Sequence, residues 1–460
     1  MEAQTLEIGY MKTLLESNSC TSRRQFLKAT AMGALASVVA PAFVRGANLN
    51  SRLQVASVGV NGMGFTDVSW IGSHKAVKFV GFCDVDTTRF GKADEAHPGV
   101  PHFQDFREMF SKLGGQFDAA SVSTPDHMHA YIALDAMRRG KHVFCQKPLT
   151  HTVWESRQMR LQAEKSKVIT QMGNQIHSHK EYRTAVELLR DGVIGKVKAV
   201  HSWVGVQGNN YSKLQAPPSP GPVPASLNWQ VWVGTAPMRD YAPDVYHPFK
   251  WRDWQDFGSG ALGDFGCHIL DPIFTALDIR EPMTVRAEHD GINQQVWPVS
   301  ETVHYLFPGT RFTADGTLPV TWYDGGRQPD KSLAQMPESA KLPGSGSLII
   351  GEEGNMVLPH VGMPQLYPVK KFRNFDIKAE SQLIHWHVWV EGVLSGKKTS
   401  DGFDYAGPLA EAVQLGNVAA RFPGQELKWD AKALRITNHA EASARLTKQY
   451  RQSWEIHAVA

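Results

Sequence analysis

Three side chains in this chain have the types and spacing of a proton-transfer site. Asp264 and His268 lie in Gly263-Asp264-Phe265-Gly266-Cys267-His268, so on a helix they share a face and can hydrogen-bond. A carboxylate that holds one tautomer of a near-neutral imidazole turns that imidazole into a general base. Lys147, in Gln146-Lys147-Pro148, follows the apolar run Lys141 to Cys145, where the proline ends a strand and leaves the lysine at its edge. An ammonium there can stabilise charge developing on an oxygen whose proton the base removes. Asp264 and His268 also invite a metal, but no third ligand lies at suitable spacing, so none is assigned.

A second constellation binds a ligand. Leu53 to Val58 alternates as a strand and breaks at Gly59-Val60-Asn61-Gly62-Met63-Gly64; the next apolar run, Val77 to Cys83, ends on Asp84. Strand, glycine turn, helix, strand, acid is the order that holds a dinucleotide, with the pyrophosphate on backbone N–H groups at the helix N-terminus. Asp84 would accept from ribose hydroxyls and repel a 2′-phosphate, which favours NAD over NADP, with Arg89 nearby as a counterweight. Asn61 takes the middle glycine's place, with Gly62 beside it. Expected cofactor contacts are Gly59, Asn61, Gly62, Met63, Gly64 and Asp84, then Thr124, Pro125, His127 and His129 after the strand Phe117 to Ser123, and Gln146 with Lys147. All fall at carboxyl ends of strands, where such sheets hold ligands.

Taken together, Gly59 to Gly64, Cys83-Asp84-Val85-Asp86, Thr124-Pro125-Asp126-His127, Lys147-Pro148 and Gly263 to His268 resemble the Gfo/Idh/MocA oxidoreductases, the family of glucose-fructose oxidoreductase and inositol dehydrogenase. The resemblance covers nearly everything after residue 50. It implies an α/β chain: a Rossmann-type doubly wound parallel sheet, then a second α+β domain with a large, mainly antiparallel sheet through which copies of the chain pair. It implies hydride transfer between a sugar-like hydroxyl and a nicotinamide, with Asp264 and His268 at that hydroxyl. It also makes Gln175 and His177, beyond the strand Val168 to Met172, substrate contacts; on the residues alone, His177 and His179 serve equally as caps of the helix Tyr182 to Arg190. The family usually carries Glu where this chain has Gln146, which removes a charge that would help keep Lys147 protonated.

The elements that must position these groups follow from pattern and punctuation. Four segments are expected: a leader at 1–47, the dinucleotide domain at 51–172, the substrate and oligomerisation domain at 173–430, and a tail at 431–460 returning to the first domain. Helices are read at Val153 to Lys165, at the Asp264 loop onward through Leu277, at His385 to Leu394, and, as amphipathic elements, at Ala406 to Arg421 and Lys432 to Arg451. Between Met283 and Leu358 short strands broken by glycine turns suit hairpins. Eight aromatics, from Trp229 through Tyr246 and Trp251 to Phe257, precede the Asp264 loop with Arg252 among them. Rings stack on sugar faces and a guanidinium donates to hydroxyls, so Tyr246, Trp251 and Arg252 are read as substrate contacts, with core packing as the alternative.

Composition sets limits. A formal charge of +3 without a basic run argues against nucleic acid, and 42% hydrophobic residues give ample core for two domains. The four cysteines, Cys20, Cys83, Cys145 and Cys267, show no paired spacing and read as free thiols. Ser22-Arg23-Arg24-Gln25-Phe26-Leu27-Lys28 is a twin-arginine pattern; the Ala-rich run behind it, Ala29 to Ala40, is too short to span a membrane, and Ala40-Pro41-Ala42 is a cleavage candidate. The expectation is an exported, periplasmic or secreted enzyme that holds its NAD tightly. Its reactions compatible with that are plain sugar oxidation, coupled oxidation and reduction of two sugars, and NAD-recycling glycoside cleavage by transient oxidation and elimination. A non-catalytic sugar-binding protein is opposed by the presence of Lys147, Asp264 and His268.

Overall fold

The structure, a computed structural model, describes residues 52–205, 218–291 and 293–459. The leader, with its twin-arginine pattern and Cys20, lies outside the described residues. The first sheet comprises β1 (Leu53–Val58), β2 (Val77–Cys83), β3 (His102–Phe103), β4 (Ala119–Val122), β5 (His142–Gln146) and β6 (Thr170–Gly173). All pairs are parallel, in the order β3-β2-β1-β4-β5-β6. Every residue of β4 is buried, since helices cover both faces of a parallel sheet; its residues are small, and the one polar side chain, Ser121, donates to the Ser57 hydroxyl at 2.7 Å. The chain leaves β1 for β2 on one side and β4 for β5 on the other, so the crevice at the carboxyl ends of β1 and β4 is where a ligand fits.

The second sheet comprises β7 (Val197–Trp203), β8 (Thr284–His289), β9 (Glu301–Pro308), β10 (Thr317–Tyr323), β11 (Gly346–Gly351), β12 (Asn355–Pro359), β13 (Gln365–Tyr367), β14 (Leu427–Asp430) and β15 (Arg435–Ile436). Its order is β13-β12-β11-β7-β10-β9-β8-β14-β15, antiparallel except for the parallel pair β7–β10. The fold is therefore α/β, with a parallel Rossmann sheet and a large, mainly antiparallel one.

The segment boundaries expected from the sequence do not isolate two bodies. The helix His385–Ser395 belongs to the C-terminal half of the chain, yet Trp386 stacks on Trp70 of the helix Met63–Gly72 at 5.5 Å and donates from its indole to Asp67 at 2.7 Å. The helix Phe403–Ala420 lies against the helices Val153–Ser166 and Gly260–Ile269. It is not amphipathic: it is buried on nearly all sides. Pro408 within it deprives the Asp404 carbonyl of its helical partner, and Arg280 donates to that oxygen at 3.1 Å.

The helix expected over Lys432 to Arg451 is absent. Leu427 and Lys428 pair with β8, the chain turns, Trp429 and Asp430 pair with Ile436 and Arg435, and only Ala440–Ala444 is helical. The side chain of Asn438 holds this hairpin, accepting from the Lys428 amide at 2.8 Å and donating to the Glu426 carbonyl at 2.8 Å. A boundary at 430 would cut the hairpin in two. Beyond it the tail runs over the first sheet's helices. Lys448 contacts Glu155 at 3.2 Å, and the guanidinium groups of Arg107 and Arg451 lie over the Trp454 ring at 4.2 and 5.1 Å. Among the described residues no helix is long and apolar enough to cross a membrane.

Candidate active site

The glycine turn after β1 is shaped for close backbone approach. Gly59 has φ +80°, and a Cβ on it would meet the Ser123 carbonyl; a Cβ on Gly64 would meet the Gly59 carbonyl. The helix Met63–Gly72 then starts at Gly62 with neither a cap from that residue's side chain nor an acid in its first turn; the Gly64 amide donates to the Asn61 carbonyl at 3.0 Å, and the positive end of the helix is left for an anion. Asn61 stiffens the turn: its Oδ1 accepts from the Gly62 amide at 2.7 Å and its Nδ2 donates to the Arg89 carbonyl at 3.1 Å. Asp84, at the end of β2, accepts from the amides of Val60 and Asp86 at 3.2 and 3.1 Å, and burial pushes its pKa up to about 6. Thr124, in the loop after β4, has a buried hydroxyl with no partner among the described residues. An uncapped helix start, a turn only glycine fits and an orphaned hydroxyl at neighbouring strand ends suit a dinucleotide.

His127 and His129 do not face that crevice. The ring of His127 is enclosed, its nitrogens on the carbonyls of Phe257 and Trp232 at 3.2 and 2.9 Å. His129 bridges the carbonyls of Pro148 and Thr124 at 2.8 Å each. Burial lowers their pKa values to about 3 and about 4, so each ring is neutral, donates to one of its two carbonyls and only abuts the other; both tie loops together and their rings are not cofactor contacts.

Lys147 leaves the end of β5 into a loop whose far side is pinned by a capping box: Thr152 accepts from the Glu155 amide at 3.2 Å and Glu155 accepts from the Thr152 amide at 3.1 Å. From there Nζ reaches the helix Gly260–Ile269, donating to Asp264 Oδ1 at 2.7 Å and to the Asp264 carbonyl at 2.9 Å. Arg252 approaches the other carboxylate oxygen at 3.6 Å. Burial would raise the Asp264 pKa, but the Lys147 and Arg252 charges outweigh it and the net shift is downward.

Asp264 therefore serves two cations and does not hydrogen-bond His268, although both lie on the expected helix. The His268 ring is fully buried, its Nδ1 bonded to the Asn174 side chain and its Nε2 without a partner among the described residues. Burial, helped by the Lys147 charge, holds its pKa well below the usual value. Phe265 lies between these groups, 5.9 Å from Lys147 Nζ, 6.2 Å from the His268 ring and 6.1 Å from the His360 ring. That last ring, 5.8 Å from His268, comes from the end of β12 and accepts or donates a 2.8 Å bond with the Tyr182 hydroxyl. No local signal in the sequence marks His360; it stands in a strand-end turn of the second sheet.

Gln175 is buried beyond β6, next in the chain to Asn174. Other expectations need correction. His177 is ion-paired to Asp271 at 2.9 Å and bonded to Ser400 at 2.8 Å, and so is neither a substrate contact nor a helix cap. His179 is the residue before the helix Lys180–Arg190, but its side chain makes no cap bond there. Tyr246 and Trp251 sit in a buried aromatic core with Trp229, Trp232, Trp254 and Phe257. Tyr246 packs edge-on to Trp254 at 4.8 Å, and Arg252 covers the Trp251 face at 4.4 Å, so no sugar can stack there. Arg252 alone of the three reaches the candidate site, through Asp264. Asp126, read in the sequence only as part of a motif, is a second carboxylate of this centre: burial and the Asp264 charge push it up to about 7 against Arg252.

A parallel nucleotide sheet with an acid-anchored lysine and an uncharged, buried histidine at its strand ends defines a dinucleotide-dependent oxidoreductase fold. The chain belongs to the Gfo/Idh/MocA family: the model described as an oxidoreductase family with an NAD-binding Rossmann fold matches residues 53–174, and that family's C-terminal alpha/beta domain matches residues 187–311. Levoglucosan dehydrogenase of Pseudarthrobacter phenanthrenivorans is 26% identical over 151 residues, 33% of this chain and 30% of that protein. An alpha-N-acetylgalactosaminidase of Shewanella oneidensis is 28% identical over 203 residues, 38% of this chain and 44% of that one. The chain thus spans less than half the length of these relatives. In fold it resembles the WlbA dehydrogenase of Bordetella pertussis, solved in complex with NADH and UDP-GlcNAcA, at TM-score 0.57 and 14% identity over 82% of this chain and 99% of that one.

Proposed function

We propose that this protein oxidises a carbohydrate hydroxyl by hydride transfer to NAD, with His268 as general base and Lys147 steadying the oxygen. One observation carries the reading. At the strand ends of a dinucleotide sheet, Lys147 is anchored 2.7 Å from Asp264, and one helical turn on stands a buried His268 whose Nε2 lacks a partner among the described residues. Bound NAD supplies the hydride acceptor. The hydroxyl proton passes to His268 Nε2 and the oxygen becomes a carbonyl, so an alcohol yields a carbonyl, one proton and one hydride. Lys147 donates to that oxygen as negative charge builds on it, and Asp264, kept ionised by Lys147 and Arg252, holds the ammonium in place.

The sugar class is supported by the names of the levoglucosan dehydrogenase relative and of the structure holding a UDP-sugar acid. The galactosaminidase relative supports a second reading, in which oxidation is transient, the glycosidic bond leaves by elimination and NAD is restored. Export through the twin-arginine pattern fits either, provided the nucleotide travels with the folded protein.

The first test is the nucleotide content of the purified protein, followed by challenge with free sugars and with aryl glycosides. Retained nucleotide reduced by a sugar supports the oxidoreductase; net glycoside cleavage supports the second reading. His268→Ala and Lys147→Ala should each lower turnover by roughly 10²–10⁴ while nucleotide content stays unchanged. Near-normal rates in both would sink the assignment.

A further inference from the structure

We infer that Asn174 is the positioning residue that selects the tautomer of His268, placing the proton on Nδ1 and the lone pair on Nε2. This deepens the proposed function and rests on it only where turnover is the readout. The Asn174 amide grips two atoms of one short stretch: Nδ2 donates to the Cys267 carbonyl at 3.0 Å, and Oδ1 faces His268 Nδ1. A carbonyl only accepts, so the amide nitrogen must lie on the Cys267 side and the amide oxygen on the imidazole side. An amide oxygen also only accepts, which makes Nδ1 the donor. In an uncharged ring the acceptor is then Nε2, the atom left without a partner among the described residues. Both Asn174 and His268 are completely buried, so water does not compete for either bond.

A carboxylate is the commoner partner for such a ring, and it would favour the imidazolium. An amide does the same orienting without adding charge. The groups facing the ring are Lys147 from the loop after β5, His360 from the end of β12, His179 from the crossover after β6 and His385 from the helix His385–Ser395. None is an acid; burial keeps the three histidines themselves uncharged, and the Lys147 ammonium disfavours a proton on both nitrogens of His268. The base is thus weak but uncharged, ready to accept over a wide acidic range.

Two measurements on the full chain decide the matter. In the first, ¹⁵N spectra of histidine-labelled protein, with His268 assigned by subtraction of His268→Asn, should show Nδ1 protonated and Nε2 of the unprotonated type. A protonated Nε2 or an even mixture overturns the inference, whatever the activity. In the second, Asn174→Asp, nearly identical in shape, should move the acidic limb of the kcat/KM profile upward by about one to two pH units. Asn174→Ala should lower kcat more than it raises KM. An unmoved acidic limb in Asn174→Asp, with His268→Ala inactive, would overturn the positioning role and leave the proposed function standing. The expected tautomer together with an active His268→Ala would do the reverse.

Discussion

Gln146 stands where the family resemblance leads to a glutamate, and the structure shows what the amide does there. The side chain turns away from the Lys147 ammonium and donates from Nε2 to both carboxylate oxygens of Asp67 at 2.9 Å. Asp67 also accepts from Ser123 at 2.6 Å and Trp386 at 2.7 Å, and burial raises its pKa to about 6. The acid that the family usually places before the lysine would here face another buried acid, so the amide is the compatible choice. Lys147 gets its counter-charge from Asp264 instead. Glu in place of Gln146 should therefore cost about 2–4 kcal/mol at pH 8 and little at pH 5, where the pair can hold a shared proton. Adding Asp67→Asn should restore the loss; urea unfolding of the single and double variants checks both. A single variant as stable as the parent at pH 8 would refute the account.

The helix Phe403–Ala420 shows how an element can be read correctly as a helix and wrongly as a surface. Glu411, Gln414 and Asn417 form a polar stripe at three-residue spacing, the usual mark of a solvent face. Here the stripe points inward. Glu411 takes a forked pair of bonds from Arg157 at 2.8 and 2.9 Å. Gln414 donates to the Thr150 carbonyl at 2.8 Å and the Ser259 hydroxyl at 3.0 Å, and Asn417 donates to the Ser259 carbonyl at 3.0 Å. The stripe thus fastens the loop behind Lys147 to the start of the helix that carries Asp264. Glu411→Ala should cost about 3–5 kcal/mol by stranding the Arg157 charge, whereas Glu411→Leu with Arg157→Met should cost far less, as replacing a buried pair by apolar groups usually does. Denaturant midpoints compare the two; equal losses would mean that packing, not the stranded charge, sets the cost.

At the scale of the whole molecule, His177 and Asp271 join the crossover after β6 to the second half of the chain, with Ser400 and Tyr405 completing the cluster. Burial alone would lower the His177 pKa, but the Asp271 charge and hydrogen bond, with Asp401 adding, raise it to about 9, against Arg183. A histidine whose folded pKa lies above its unfolded value stabilises fully below the unfolded value and loses that contribution as pH rises through the folded one. Stability should therefore decline between about pH 6.5 and pH 9, by up to roughly 3 kcal/mol from this group. In His177→Asn the slope should flatten; a variant that keeps the parent's slope would assign it to another group.

The nucleotide half and the parts of the centre were legible in the chain's local pattern. The carbonyls that leave no room for a Cβ belong to Ser123, on the neighbouring strand, for Gly59 and to Gly59 itself for Gly64; the glycines, the acid and the lysine all fall at strand ends, which the alternation of strands and turns marks. Spacing also placed Asp264 and His268 on one helix. What it could not settle was which of their neighbours would win them. Two cations take Asp264 because charge outcompetes a neutral ring, and an amide from the crossover takes His268. Asn174, Asp126 and His360 reach the centre from separate elements, and no local signal marks that meeting. The aromatic run and the paired histidines of the Thr124 loop read as ligand contacts because polar and aromatic types are shared by sites and cores. Packing assigned these to the core, by burying the aromatic rings on one another and seating each imidazole between backbone carbonyls.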